Sequence, residues 1–552
     1  MRSLSPNRLA LCALSLAASA AMAAPDAGQL LQELRNNPPP RPAPSASPPL
    51  NVEAPAPGAV PEGGARVRVS AFVLRGVQSL PEAGLQALLA DAIGRELNLA
   101  ELNQLAGRLT RAYREAGYLV ARAYLPAQEV QGGRVEIAVA EGRLGKVELR
   151  NRAELQGDAL APLDLLQPQA ALREQDLAPV LLSLRSLPGT RVLSTLRPGD
   201  TPGASDLLVE VDEGQAFEAD AALDNHGSDS TGDQRLSLNL SFNNPLRLGD
   251  QLSLHLLRSQ LAQRYAAASY QLPVGPLGTR VGLSASHMDY RLGKQFAALG
   301  AYGLASTLSF YARHPLVRSQ TDNWNLQLQY DDKRLVDMVA STETRSTHRI
   351  NLASLSLQGQ WQDGWLALPA MSDLSLGLQT GQVHMDAMSD FIDQLSAHTG
   401  KGFSKLTASL QRQQQLLPEW TLAMAWRGQR ADHNLPSAEK ISLGGANGVR
   451  AYPEGEASGD DGWVGNLALR WQPAPEWQLQ AFADAGVVQV NHQPWSSTGS
   501  NRRRLAGAGV GGGLQGSGWA LDLSAAWATD REAAVITPKR SPRVWASLSV
   551  GY

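Results

Sequence analysis

Two periodicities divide the chain. Up to about residue 214, apolar positions recur at helical spacing between short strands. Beyond about residue 216 the helical spacing gives way to strict alternation of apolar and polar residues. Leu236, Leu238, Leu240 and Phe242 interleave with Ser237, Asn239 and Ser241. Trp324, Leu326, Leu328 and Tyr330 interleave with Asn323, Asn325, Gln327 and Gln329. The spacing predicts strands over 217–225, 234–242, 251–259, 263–272, 279–288, 303–313, 322–332, 348–361, 372–383, 403–413, 420–430, 462–472, 476–489, 503–514, 518–528 and 543–552, sixteen in all. The polar sides are rich in Ser, Asn and Gln, and the apolar sides end in aromatics. That pattern suits strands with one face to lipid and one to a wet lumen. Sixteen is even, and a closed barrel is the only sheet that satisfies every backbone group inside a bilayer. Residues 216–552 are therefore expected to form a 16-stranded transmembrane antiparallel β-barrel.

The segment before it reads as two small α/β domains. Residues 66–142 follow the order β-α-α-β-β, with a strand at 67–74, helices at 81–97 and 100–116, and strands at 118–125 and 134–140. Residues 143–214 repeat that order, with a strand at 146–150, helical segments at 159–166 and 172–187, and strands at 190–196 and 206–211. Tandem small domains point to binding rather than catalysis. Ahead of them, residues 24–35 predict a short helix capped by Asp26, with Leu30, Leu31 and Leu34 on one face. A linker at 36–65 follows, and ten of the 33 prolines fall within residues 38–61. Such composition makes a spacer without a core of its own. An amphipathic helix on a tether suggests a detachable plug. Residues 1–23 have the basic start, apolar run and Ala21-Met22-Ala23 end of a signal peptide. The lone cysteine, Cys12, lies within that leader, so the exported chain is expected to carry no disulfide.

Composition narrows the function. Lys+Arg 49 against Asp+Glu 52 gives a formal net charge of −3, which argues against a nucleic-acid partner. A mean hydropathy of −0.22 would by itself suggest a soluble protein. Alternation explains the value, because lipid-facing and lumen-facing residues cancel in an average. All 12 Trp lie between Trp324 and Trp545, as aromatic girdles at two membrane interfaces would require. Gly507-Ala508-Gly509-Val510-Gly511-Gly512 has the spacing of a dinucleotide loop, but alternation continues on both sides of it, and no helix follows. No nucleophile elbow or metal-ligand spacing is present, so neither catalysis nor a cofactor is expected. Asp460-Asp461 and Arg502-Arg503-Arg504 read as solvated charge.

Several segments carry a resemblance. Leu109–Tyr118 and Ala121–Gln128 resemble the end of the first periplasmic POTRA domain of the two-partner secretion transporters, the outer-membrane translocators of filamentous haemagglutinins and haemolysins. Leu187–Arg191 with Leu196–Gly199 resembles the second POTRA domain, and Asp224–Gly227 with Asn244–Asp250 the first barrel hairpin. Gly448-Val449-Arg450-Ala451-Tyr452, in a loop at about 436–461, resembles the family's Val-Arg-Gly-Tyr motif, with Ala451 replacing the glycine. Phe482-Ala483-Asp484-Ala485-Gly486 resembles the motif on the thirteenth strand. The resemblance implies that the loop folds into the lumen and that Arg450 meets Asp484 there. A bidentate, shielded pair of this kind suits an anchor. The resemblance further implies export of a large TpsA-like exoprotein recognised by the POTRA domains, residence in outer-membrane lipid, and insertion by the barrel-assembly machinery. An insertase is the alternative, but two POTRA domains and a tethered helix favour secretion over it. A diffusion porin would not need the two domains.

Overall fold

The computed structural model describes residues 24–36, 51–52, 65–201, 203–364, 368–495, 500–530 and 540–551. The leader at 1–23 and most of the linker lie outside the described residues.

The first small domain has one three-stranded sheet. Ala71–Arg75 pairs parallel with Arg134–Ala140, which pairs antiparallel with Arg122–Tyr124. Helix Leu99–Glu115 starts in a reciprocal cap, with the Asn98 side chain accepting from Glu101 N and Glu101 accepting from Asn98 N. Its stripe of Leu102, Leu105, Leu109 and Tyr113 is buried against Phe72, Val135 and Ile137. The helix expected over 81–97 is broken. Only Glu82–Ala87 is α-helical, a 3₁₀ turn follows at Ala90–Ala92, and Glu96–Leu97 pairs with Val67–Arg68. Gly94 explains the break, since it sits at φ +87 and turns the chain back to that strand. The strand expected over 118–125 keeps only Arg122–Tyr124, and the helix expected over 159–166 is two short 3₁₀ pieces with Pro162 in the second.

The second domain has Glu174–Arg185 over a sheet ordered Asn51–Val52, Thr190–Pro198, Ala204–Glu213, Arg143–Asn151. The edge strand comes from the proline-rich linker, where Asn51 and Val52 pair parallel with Thr195 and Leu196. The domain sits on barrel turns through Arg280 Nη2 to Ser186 O (2.8 Å) and Gly275 N to Asp158 Oδ2 (2.7 Å).

All sixteen barrel strands are present and closed into one antiparallel ring, with the first strand, Phe217–Asp224, paired to the sixteenth, Arg543–Gly551. Residues opposite each other across a ladder share a face. Leu236, Leu238 and Leu240 face outward, while Arg235, Ser237 and Asn239 are buried within. Trp324, Trp361, Trp420 and Trp471 lie near strand ends on the domain side, and stack in pairs at 5.8 and 5.9 Å. The sixth to ninth strands, Ala301–Arg318, Asp322–Val339, Thr344–Asp363 and Ala370–Met385, run longer than expected, mostly at the far end. Their outer faces turn polar there, at Asp332, Arg334 and Arg349, so the lipid-type alternation stops while the ladder continues. The glycine run 507–512 lies inside the fourteenth strand, Arg502–Gly516.

Candidate functional site

Among the described residues, two elements are inserted into the lumen. One is the connection between the eleventh strand, Trp420–Ala431, and the twelfth, Asp461–Ala474. It folds inward as a small hairpin, with Ile441–Ser442 against Ser458–Gly459. At its tip a tight turn closes with Val449 N to Leu443 O (2.7 Å) and Tyr452 N to Val449 O (3.0 Å). A Cβ on Gly448 would lie 2.1 Å from Leu443 O, so only glycine fits there. The turn presents Arg450 to the barrel wall.

Arg450 and Asp484 meet as the motifs imply. Nε donates to Oδ2 at 2.9 Å, Nη2 to Oδ1 at 2.7 Å, and the Arg450 backbone N to Oδ2 at 3.1 Å. The Asp484 side chain is fully buried, so the pair is shielded from water and cannot be written off as a weak surface pair. Asn466 Nδ2 holds the same carboxylate (2.8 Å) and the Gly448 carbonyl (2.7 Å). The guanidinium lies 3.3 Å above the centre of the Phe482 ring, a cation–π contact. Trp545 Nε1 donates to Arg450 O at 2.7 Å. Tyr452 is buried and donates to Asp530, which also accepts from Ala506 N. Gly486 abuts Leu443 of the loop, where a Cβ would lie 2.8 Å from Leu443 Cδ2. Ala451 is buried with its methyl toward Gly507; a Cβ on Gly507 would come within 2.7 Å of it. The missing side chain on the strand thus makes room for the extra methyl on the loop.

Sequence reasoning missed the other grips on the loop. Glu439 is buried between Lys333 and Lys405 on the barrel wall, with Lys405 Nζ at 2.9 Å. Asp460, expected to be solvated, is fully buried and accepts from Lys440 Nζ (2.7 Å), Leu435 N (3.1 Å) and His492 N (2.8 Å). Arg503 was also expected to be solvated, but points inward to Glu456 at 2.7 Å. The partners are far apart in sequence, so spacing gives no hint of them.

The other inserted element is helix Ala27–Asn36. Asp26 caps it as expected, accepting from Gln29 N at 2.8 Å. Leu30 and Leu31 are buried, and Leu34 is half-buried, against Met288, Tyr290, Leu335, Ile350 and Leu352 on the far half of the inner wall. Ala27 N donates to Asp337 Oδ1 at 2.8 Å. Gly28 lies on the loop itself, where a Cβ would be 2.4 Å from Ser437 Oγ. Helix and loop therefore fill the lumen together, leaving side cavities of about 850 and 590 Å³.

Three comparisons with known proteins agree with this architecture. The family model for the haemolysin secretion/activation protein ShlB/FhaC/HecB matches residues 203–514, and that for the ShlB-type POTRA domain matches residues 67–142. The heme/hemopexin transporter protein HuxB of Haemophilus influenzae (strain 86-028NP) is 29% identical over 386 residues, covering 68% of this chain and 67% of that protein. The hemolysin transporter protein ShlB of Serratia marcescens is 27% identical over 435 residues, covering 74% and 73%. Among solved structures, CdiB from Escherichia coli superposes with a TM-score of 0.68 at 21% identity, covering 100% of both chains, and shares the fold. With more than half of its length matched by the family model, the chain belongs to the haemolysin secretion/activation family, outer-membrane barrel transporters that export partner exoproteins and carry their POTRA domains in the periplasm.

Proposed function

We propose that the described state is the resting transporter, with helix Ala27–Asn36 as a removable plug and Arg450–Asp484 as the fixed anchor of the inserted loop. The observation that carries this reading is the seating of Leu30 and Leu31 on the inner wall, with Gly28 against the loop. In this reading residues 66–142 and 143–214 form a periplasmic receiving arm. The open edge at Thr190–Pro198 takes an extended client segment, as sheet edges do, after the linker strand Asn51–Val52 leaves it. The client then threads the lumen and folds outside, and that folding supplies direction. The client is a TpsA-like exoprotein of unspecified kind, and the barrel-assembly machinery inserts the transporter itself.

The test is single-channel conductance in planar bilayers. Deleting residues 24–61 is expected to raise conductance, and an unchanged value overturns the plug. Separately, Arg450→Ala is expected to cut export of the partner while the barrel stays inserted. Wild-type export by that variant overturns the anchor.

A further inference from the structure

The outer wall of the fifth to ninth strands carries a feature that neither the pore nor the client explains. One continuous rung of the ladder reads His287, Ser306, Arg334, Arg349 and His384, each paired directly with the next. All five face outward, because their chain neighbours Met288, Leu335, Ile350 and Val383 pack on the plug inside. Two rungs toward the periplasm, the same face carries Phe310 and Tyr330, and one rung further Leu328, Leu355 and Leu378. The rung therefore lies just outside the lipid belt on the extracellular side.

Its charge is unbalanced. Arg334 and Arg349 are directly opposite each other, an arrangement that is unfavourable between like charges. Asp332 lies between them, with Arg349 bidentate on it (2.9 and 2.9 Å) and Arg334 at 3.7 Å. One carboxylate leaves one of the two positive charges over, and the side chains stay 65% and 50% exposed. The fourth strand repeats the theme, since Arg264 faces Arg258 on one side and Asp289 on the other. At the periplasmic edge the outward Arg412 is instead matched one to one, bidentate on Asp363 at 2.8 and 2.8 Å. The excess positive charge is thus confined to the outer leaflet's side.

We infer that this rung, centred on Arg334 and Arg349 and flanked by His287, Ser306 and His384, binds the phosphate groups of a phosphorylated glycolipid headgroup in the outer leaflet. Planar guanidinium forks take phosphate oxygens in pairs, and neighbouring hydroxyl and imidazole groups complete such a site. The apolar and aromatic rungs below it receive the acyl chains of the same lipid. The site is independent of the client and of plug movement.

The experiment uses the full chain in neutral phosphatidylcholine vesicles, with the heat-unfolding midpoint read by gel mobility. Adding bisphosphorylated lipid A is expected to raise the midpoint by several degrees. Arg334→Ala/Arg349→Ala should lose most of that rise, Arg334→Lys/Arg349→Lys should keep part of it, and Arg412→Ala should keep all of it. The site is overturned by no rise in the wild type or by a full rise in the double alanine variant. It is equally overturned by the same rise with dephosphorylated lipid A, or with inorganic phosphate in place of lipid. The midpoints in plain vesicles report whether each variant folds.

Discussion

The two elements inside the lumen are held by opposite chemistry. The loop is fixed by buried charges, namely Arg450–Asp484, Glu439 between two lysines, and Arg503–Glu456. The plug helix is held by Leu30 and Leu31 on an apolar wall, with few directional bonds. Breaking a buried ion pair leaves an uncompensated charge, which costs far more than the intact pair contributes. Withdrawing an apolar helix face into water costs in proportion to the area exposed. This contrast supports the proposed division, in which the loop stays and the helix leaves.

Four changes would break or sharpen this contrast. Asp484→Ala should have the largest effect, about 3–5 kcal/mol at the loop seat, because Arg450 stays behind mostly buried and without its carboxylate. Protease cleavage near residue 450 and loss of export would report it. The double variant Asp484→Ala/Arg450→Ala should be milder than the single. If it is worse, the buried-charge explanation fails. Leu30→Ala should weaken the plug by about 2 kcal/mol, at the low end for a buried leucine because the lumen admits water. Open-channel occupancy in bilayers should then rise about thirtyfold. Gly28→Val should push the helix off Ser437 at about 1.5 kcal/mol, a smaller rise in the same recording.

The smallest effect belongs outside the barrel. Glu141 accepts from Gln78 N (2.6 Å), Ser79 N (2.8 Å) and Tyr113 Oη (2.9 Å), tying the first POTRA domain shut. Burial pushes its carboxyl up, but the hydrogen bonds from Ser79, Gln78 and Tyr113 outweigh burial and hold it below its ordinary value. A depressed carboxylate contributes stability above its unfolded value, near pH 4. That contribution is lost as pH falls through the folded value. Glu141→Gln should cost about 1 kcal/mol and flatten that acid limb. Channel conductance should not change. A conductance change would couple the domain to the plug and erase the contrast.

The barrel was legible in sequence because lipid and lumen impose a two-residue step on every strand, and all sixteen strands appear where that step runs. The step fades where the outer face leaves lipid, which is why the far ends at 333–339 and 344–347 were missed. The helix at 27–36 showed itself through Asp26 and its leucines. The contact between Arg450 and Asp484 was legible only through resemblance, since no local rule joins residues 34 apart. Glu439 was beyond reach altogether, because Lys333 lies 106 residues away and the contact depends on ring closure.

In the proposed reading, the strand Asn51–Val52 gives the plug a short leash whenever it is paired on its edge. Fourteen residues, 37–50, separate it from the helix end, a reach of at most roughly 50 Å. A ligand confined to such a volume acts at an effective concentration of about millimolar, whatever the number of transporters in the cell. Closure is then an intramolecular reaction, set by leash length. In the proposed reading, the membrane barrier reseals as soon as the last segment of cargo clears the lumen, with no second protein to recruit.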